Sequence, residues 1–158
     1  MTSLLFHGGT IVLEDGLLLN GQVDIDDGRI ASVHRSAFPG TGPSVTTIDL
    51  AGDYLVPGYV DLHVHGGGGA DFMDGTESAF QTICRAHAHH GTTSLLPTTT
   101  VARHEQHLVF LDLCRRLKQQ GTQGSRILGA HLYGPYFARE ARGCHPALPV
   151  RQIGRAHV

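Results

Sequence analysis

Over the first third of the chain, apolar and polar positions alternate in short runs separated by turn residues. Leu4-Leu5-Phe6, Thr10-Ile11-Val12-Leu13, Gln22-Val23-Asp24-Ile25, Arg29-Ile30-Ala31-Ser32-Val33 and Thr46-Thr47-Ile48-Asp49-Leu50 each have the length and β-branched content of a strand. Asp26-Asp27-Gly28, between two of these runs, predicts a hairpin. Residues 38–43 read as a loop and Ala51-Gly52-Asp53 as a further turn. Residues 1–55 are therefore predicted to form a small β unit.

After Pro57 the rhythm lengthens to strand, helix, strand, helix, strand. Tyr59–His65 is the first predicted strand, and a helix is predicted from Asp74, which can cap it with Glu77 three residues on. Ala79, Phe80, Ile83 and Ala86 give that helix an apolar stripe, and Gly91 can end it. A second strand is predicted at residues 92–97 and a second helix at Val101–Gln120. Phe110, Leu113, Cys114 and Leu117 share a face of this second helix and Gly121 stops it. Ile127–Tyr133 is the third strand. Strands alternating with helices of this length imply βαβ units and a parallel sheet, either doubly wound or a barrel. Three strands cannot close a barrel. If the architecture is an eight-stranded barrel of about 250 residues, the chain holds less than half of it. No internal repeat or low-complexity segment interrupts this plan.

The first of these strands ends in His63-Val64-His65, followed by four glycines, Gly66–Gly69. Alternate residues of a strand point the same way, so the two imidazoles share a face and can both ligate one divalent ion. The other reading of so short a motif is two polar residues at a strand end, satisfied by backbone or water. Glycines at the C-terminal end of a parallel strand open space where active sites of barrel enzymes lie. The run lacks the Lys-Ser/Thr ending of a phosphate cradle, and a mobile active-site loop is the expectation.

Composition narrows the partners. With 158 residues, 41% hydrophobic and 16% charged, the chain can bury one ordinary core and is not disordered. Its apolar stretches fall short of the roughly 18 residues of a membrane span, and its start has no export signal. A net charge of −2, with only Arg115-Arg116-Leu117-Lys118 as a basic run, argues against nucleic acid. Membrane is likewise not an expected partner. Cys84, Cys114 and Cys144 fit neither a disulfide framework nor a zinc cluster, so a reducing cytoplasm is expected. Twelve histidines and twenty-one glycines are the unusual feature, and they favour a metal reading.

Val56–Gly66 resembles the first-strand motif of the amidohydrolase superfamily. Gly91–Thr98, His131–Phe137 and Arg142–Pro146 narrow the resemblance to the N-acetylglucosamine-6-phosphate deacetylase family, in register from residue 1 to about 151. The resemblance implies an α/β fold, a metal-dependent hydrolase (β/α)8 barrel of the TIM type. Residues 1–55 would be the N-terminal part of a small β-sandwich domain, and 56–151 the first βα units, truncated. It further implies a homodimer when full length, and removal of acetate from an N-acetylated amino-sugar phosphate. One or two divalent ions, zinc or iron, are implied as cofactors. His63 and His65 match the family's first-strand ligand pair, and His145 matches a histidine that reaches the substrate. The general-base Asp and the remaining metal-binding histidines are expected downstream, so the 158 residues are not expected to catalyse alone.

The chain departs from the family at Tyr133. The family motif there is His-Leu-Glu-Gly-Pro with the Glu a metal ligand, whereas the chain has His131-Leu132-Tyr133-Gly134-Pro135. A phenol ionises only near about pH 10, unlike a carboxylate. Three readings stay open: one ion at His63 and His65 with later ligands, a tyrosine-ligated variant, or a relative with altered or lost activity. Another amidohydrolase, dihydroorotase-like or D-aminoacylase-like, is the same-class alternative. Glu140 is a conceivable substitute ligand. His131 is read as core or as support for a ligand, and Asp61 as orienting a ligand or simply starting the strand. His87, His89, His90, His104 and His107 are read as ordinary helix positions, since they lack the acidic partner of a helical zinc motif. Residues 152–158 are expected to be non-native, because Ile153–Val158 reads as one frame of a common sequencing adapter.

Overall fold

The computed structural model describes residues 3–35, 45–146 and 150. The chain divides into two compact units, Met1–Pro57 and Gly58–Val158. The predicted loop at 38–43 and the tail at 152–158 lie outside the described residues.

The first unit is a five-stranded mixed sheet of β1 (Ser3–Leu13), β2 (Gly16–Asp26), β3 (Arg29–His34), β4 (Val45–Asp49) and β5 (Tyr54–Leu55). β1 runs through its middle, antiparallel to β2 and parallel to both β4 and β5. The two runs predicted at Leu4–Phe6 and Thr10–Leu13 are one strand. The register slips between Phe6 and Gly9, and Gly8 takes a φ of 75°, so glycine carries a bulge that the apolar pattern shows only as a gap. The Asp26–Gly28 hairpin is present, with Asp27 and Gly28 at φ 48° and 74° as a type I′ turn requires. Ile11, Leu18 and Val23 form a small core, joined by Phe6, Leu13, Ile25 and Leu55.

The second unit is built on β6 (Tyr59–Val64), β9 (Thr92–Pro97) and β10 (Arg126–Ile127), with β9 in the centre and both neighbours parallel to it. Two short strands, β7 (Gly66–Gly67) and β8 (Ala70–Asp71), and helix α1 (Glu77–His89) lie between β6 and β9, and α2 (His104–Gln120) follows β9. Apolar positions three and four apart on the helices meet the sheet. Phe80, Ile83 and Cys84 of α1 pack with Phe110, Leu113, Cys114 and Leu117 of α2 over Val64, Leu95 and Ile127. Phe80 is central, its ring edge-on to Phe72 at 4.7 Å and tilted against Phe110 at 6.0 Å. Truncating such a residue to alanine costs about 3–5 kcal/mol.

Three boundaries differ from expectation for identifiable reasons. α1 begins at Glu77, not Asp74, because Thr76 caps it and accepts the Ala79 N–H at 3.2 Å. Asp74 instead accepts the Asp71 N–H at 2.9 Å, closing a separate 3-10 turn with Asp71. α2 begins at His104 rather than Val101, since Gln106 accepts the Arg103 N–H at 3.0 Å. The third strand is only Arg126–Ile127 plus one bridge from His131 to Thr98, interrupted around Gly129, which offers no side chain to pack.

The glycine run, expected as a mobile loop, forms a hairpin. Gly66 and Gly67 pair with Asp71 and Ala70, and Gly68 and Gly69 make the two-residue turn at φ 62° and 83°. His87 of α1 holds it, with Nε2 3.1 Å from the Gly66 carbonyl oxygen. No helix among the described residues is long and apolar enough to cross a membrane.

Candidate metal centre

Val64 points into the helix-covered core and is 4% exposed, so His63 and His65 on either side of it project from the opposite face of β6. Their Nε2 atoms converge to 3.0 Å, with ring centroids 4.9 Å apart. Without an ion, one Nε2 must carry a proton and donate it to the other. With an ion, two bonds of about 2.0–2.1 Å can span that gap. His65 Nδ1 is buried and has no hydrogen-bond partner among the described residues. Asp61 does not orient an imidazole through its Oδ1; that oxygen accepts the backbone N–H of His63 at 3.0 Å.

The segment after β10 brings up the rest. His131 lies with its ring 4.9 Å from His63, and its Nδ1 is 3.4 Å from the Thr98 hydroxyl. Tyr133 sets its ring edge-on to His63 at 5.0 Å and tilted to His65 at 6.1 Å. It also touches His145, at 4.8 Å, and Phe137, at 5.2 Å. His145 is 5% exposed and its Nδ1 accepts the Val101 N–H at 3.4 Å, which assigns the ring proton to Nε2. Burial, then the nearby His65, holds the His145 pKa below its ordinary value.

The four residues singled out in the sequence, His63, His65, Tyr133 and His145, thus share one network of ring contacts. His131 joins them beside the pair. Phe137, stacked on His145, was not anticipated, although it closes the same motif that contains Tyr133. The helical histidines fall outside the network: His107 is buried with Nε2 3.0 Å from the Thr100 carbonyl oxygen, and His89, His90 and His104 are exposed. Among the described residues no three His, Cys, Asp or Glu side chains are placed to enclose an ion. Glu140, exposed in the turn Arg139–Ala141, does not complete the pair. The arrangement therefore fits a metal as a two-nitrogen half-site.

No family model matches the sequence. An N-acetylgalactosamine-6-phosphate deacetylase of Escherichia coli O157:H7 is 34% identical over 143 residues, which are 90% of this chain and 36% of that protein. An N-acetylglucosamine-6-phosphate deacetylase of Bacillus subtilis (strain 168) is 35% identical over 147 residues, 91% of this chain and 37% of that protein. The solved N-acetylglucosamine-6-phosphate deacetylase of Pasteurella multocida superposes with a TM-score of 0.86 at 25% identity, covering 98% of this chain and 40% of its own. The chain belongs to the N-acetylglucosamine-6-phosphate deacetylase family. It spans a little over a third of the length of these curated relatives. The parallel β6–β9–β10 sheet with α1 and α2 is part of the amidohydrolase barrel of that family. The Tyr133 ring occupies the flank of the histidine pair.

Proposed function

We propose that the whole protein is a metal-dependent hydrolase that removes acetate from an N-acetylated amino-sugar phosphate, and that this chain supplies its first two metal ligands. The observation that carries this reading is the convergence of His63 Nε2 and His65 Nε2 to 3.0 Å, on the sheet face away from the helices, in a chain with deacetylase relatives. His63 and His65 would hold a divalent zinc or iron ion through these nitrogens. When bound, such an ion polarises the amide carbonyl and makes bound water a nucleophile near neutral pH. His145, kept neutral by burial, offers its Nε2–H to an oxygen of the sugar phosphate. Tyr133 has its ring against both that donor and the pair, and Phe137 stacks on His145. The general-base carboxylate and the remaining ligands come from beyond these residues.

The same reading makes residues 1–55 part of a β-sandwich domain, residues 56–151 the first βα units, and the full-length protein a homodimer. A cytoplasmic workplace is supported by three free cysteines. The net charge of −2 offers nothing to nucleic acid or an anionic membrane.

Purified full-length protein, assayed for acetate release from N-acetylglucosamine 6-phosphate and N-acetylgalactosamine 6-phosphate, tests the proposal. Release from at least one, abolished by a chelator and restored by metal, is expected. Metal-loaded protein that cleaves neither would overturn it. A second reading, a barrel that binds the sugar phosphate without hydrolysing it, is favoured by Tyr133 in the place of a ligand Glu. Saturable binding with no acetate release would select it.

A further inference from the structure

We infer that Thr98, at the C-terminal end of β9, is a positioning residue that sets the His63–His65 pair through the backbone of Val64. The inference rests on the metal-binding reading of the pair.

The parallel ladder between β6 and β9 loses its regular register between Asp61 and Val64, just where the two histidines sit. The ladder resumes at the single pair Val64–Pro97, so the end of β6 is held at that one point. Thr98 takes over both polar groups of Val64. Its Oγ1 accepts the Val64 N–H at 2.9 Å, and its own N–H donates to the Val64 carbonyl oxygen at 2.7 Å. Val64 lies between the two imidazoles, so this two-point clamp fixes the peptide planes from which both side chains spring. The hydroxyl has one proton to give. It lies 3.1 Å from the Leu96 carbonyl oxygen and 3.4 Å from His131 Nδ1, which ties the clamp to β9 and to the imidazole beside His63. Thr98 is fully buried, so water cannot replace the hydroxyl if it is lost.

Its neighbour does the same for the other side of the site. Thr99, also fully buried, accepts the Tyr133 N–H on Oγ1 at 2.9 Å and donates its own N–H to the His131 carbonyl oxygen at 3.0 Å. Two adjacent threonines directly after the central strand thereby fix the spacing between the histidine pair and residue 133.

The test is metal affinity of the full-length protein, measured by chelator competition with zinc and by the visible absorption of the cobalt form. Thr98→Val keeps the shape and removes the hydroxyl; Thr98→Ser keeps the hydroxyl. The valine variant is expected to bind zinc about 10–100-fold more weakly with an altered cobalt spectrum, as for loss of a group supporting a ligand. The serine variant should stay within about threefold of wild type by the same reasoning. Should the valine variant fail to fold, Thr98→Ala takes its place against the serine variant. Wild-type affinity in a folded Thr98→Val protein, or a serine variant as weak as valine, overturns the inference. His63→Ala and His65→Ala, run alongside, separate the two failures. If these bind zinc like wild type, the reading of the pair itself is wrong.

Discussion

The imidazole of His145 lies against the ring of Phe137, with centroids 4.9 Å apart and planes 21° from parallel. The stack, with the Val101 N–H on Nδ1, aims one protonated nitrogen from a buried loop histidine. Replacing His145 with alanine in the full-length enzyme is expected to raise KM for the sugar phosphate about tenfold, the worth of one hydrogen bond to a charged group. Metal content should not change. Steady-state kinetics with metal analysis checks both, and an unchanged KM would remove His145 from the substrate site.

Tyr133 packs edge-on to His63 while Thr99 fixes its backbone, which places the ring as a wall beside the pair. Tyr133→Phe is therefore expected to keep zinc affinity within about threefold, since the ring and not the hydroxyl faces His63. Tyr133→Glu is expected to bind more metal per chain. Zinc stoichiometry and affinity measured on both variants check this, and a large loss in the phenylalanine variant would make the phenol a ligand.

The glycine hairpin makes unequal demands on its residues. A Cβ on Gly66 would fall on the Ala70 carbonyl oxygen, whereas one on Gly69 meets open space at a φ of 83°. Gly69→Ala should cost about 1–2 kcal/mol, the left-handed penalty alone. Gly66→Ala should cost more, because backbone must move. Urea unfolding of the full-length variants ranks them, and equal costs would contradict the hairpin geometry.

Burial pushes the Cys84 thiol up to about 11 and the Cys114 thiol up to about 12, while Cys144 is exposed. Both buried thiols stay protonated in the folded protein, so their share of stability is intact below the ordinary thiol pKa of 9.0 and disappears as pH rises through 11 to 12. At pH 8 a thiol reagent should modify Cys144 quickly, and Cys84 and Cys114 only after unfolding. Mass spectrometry of the labelled native protein checks this.

Much of the frame was legible because it rests on local periodicity. Phe80 and Ile83, three apart, pointed to the buried face of α1, and His63 and His65, two apart, to a shared strand face. What was not legible depends on how separate strands meet. Thr98 reaches Val64 only because β9 lies parallel to β6 and the register slips beside it. His131 reaches His63 through a single bridge to Thr98. The hairpin at Gly66–Gly69 was also not legible, since four glycines indicate a loop without showing that two of them supply the positive φ of a tight turn. Likewise Thr76 outcompeted Asp74 as the helix cap because Asp74 was already engaged with the Asp71 N–H.

With their Nε2 atoms 3.0 Å apart, His63 and His65 are proposed to hold one divalent ion. Zinc and iron content of the full-length protein, with His63→Ala, His65→Ala and the double variant, tests it most directly. Bound metal is expected in the wild type and, in each single variant, affinity reduced by at least about 100-fold, in line with loss of a direct ligand exceeding that of a supporting group. Wild-type metal content and affinity in the folded double variant would contradict it.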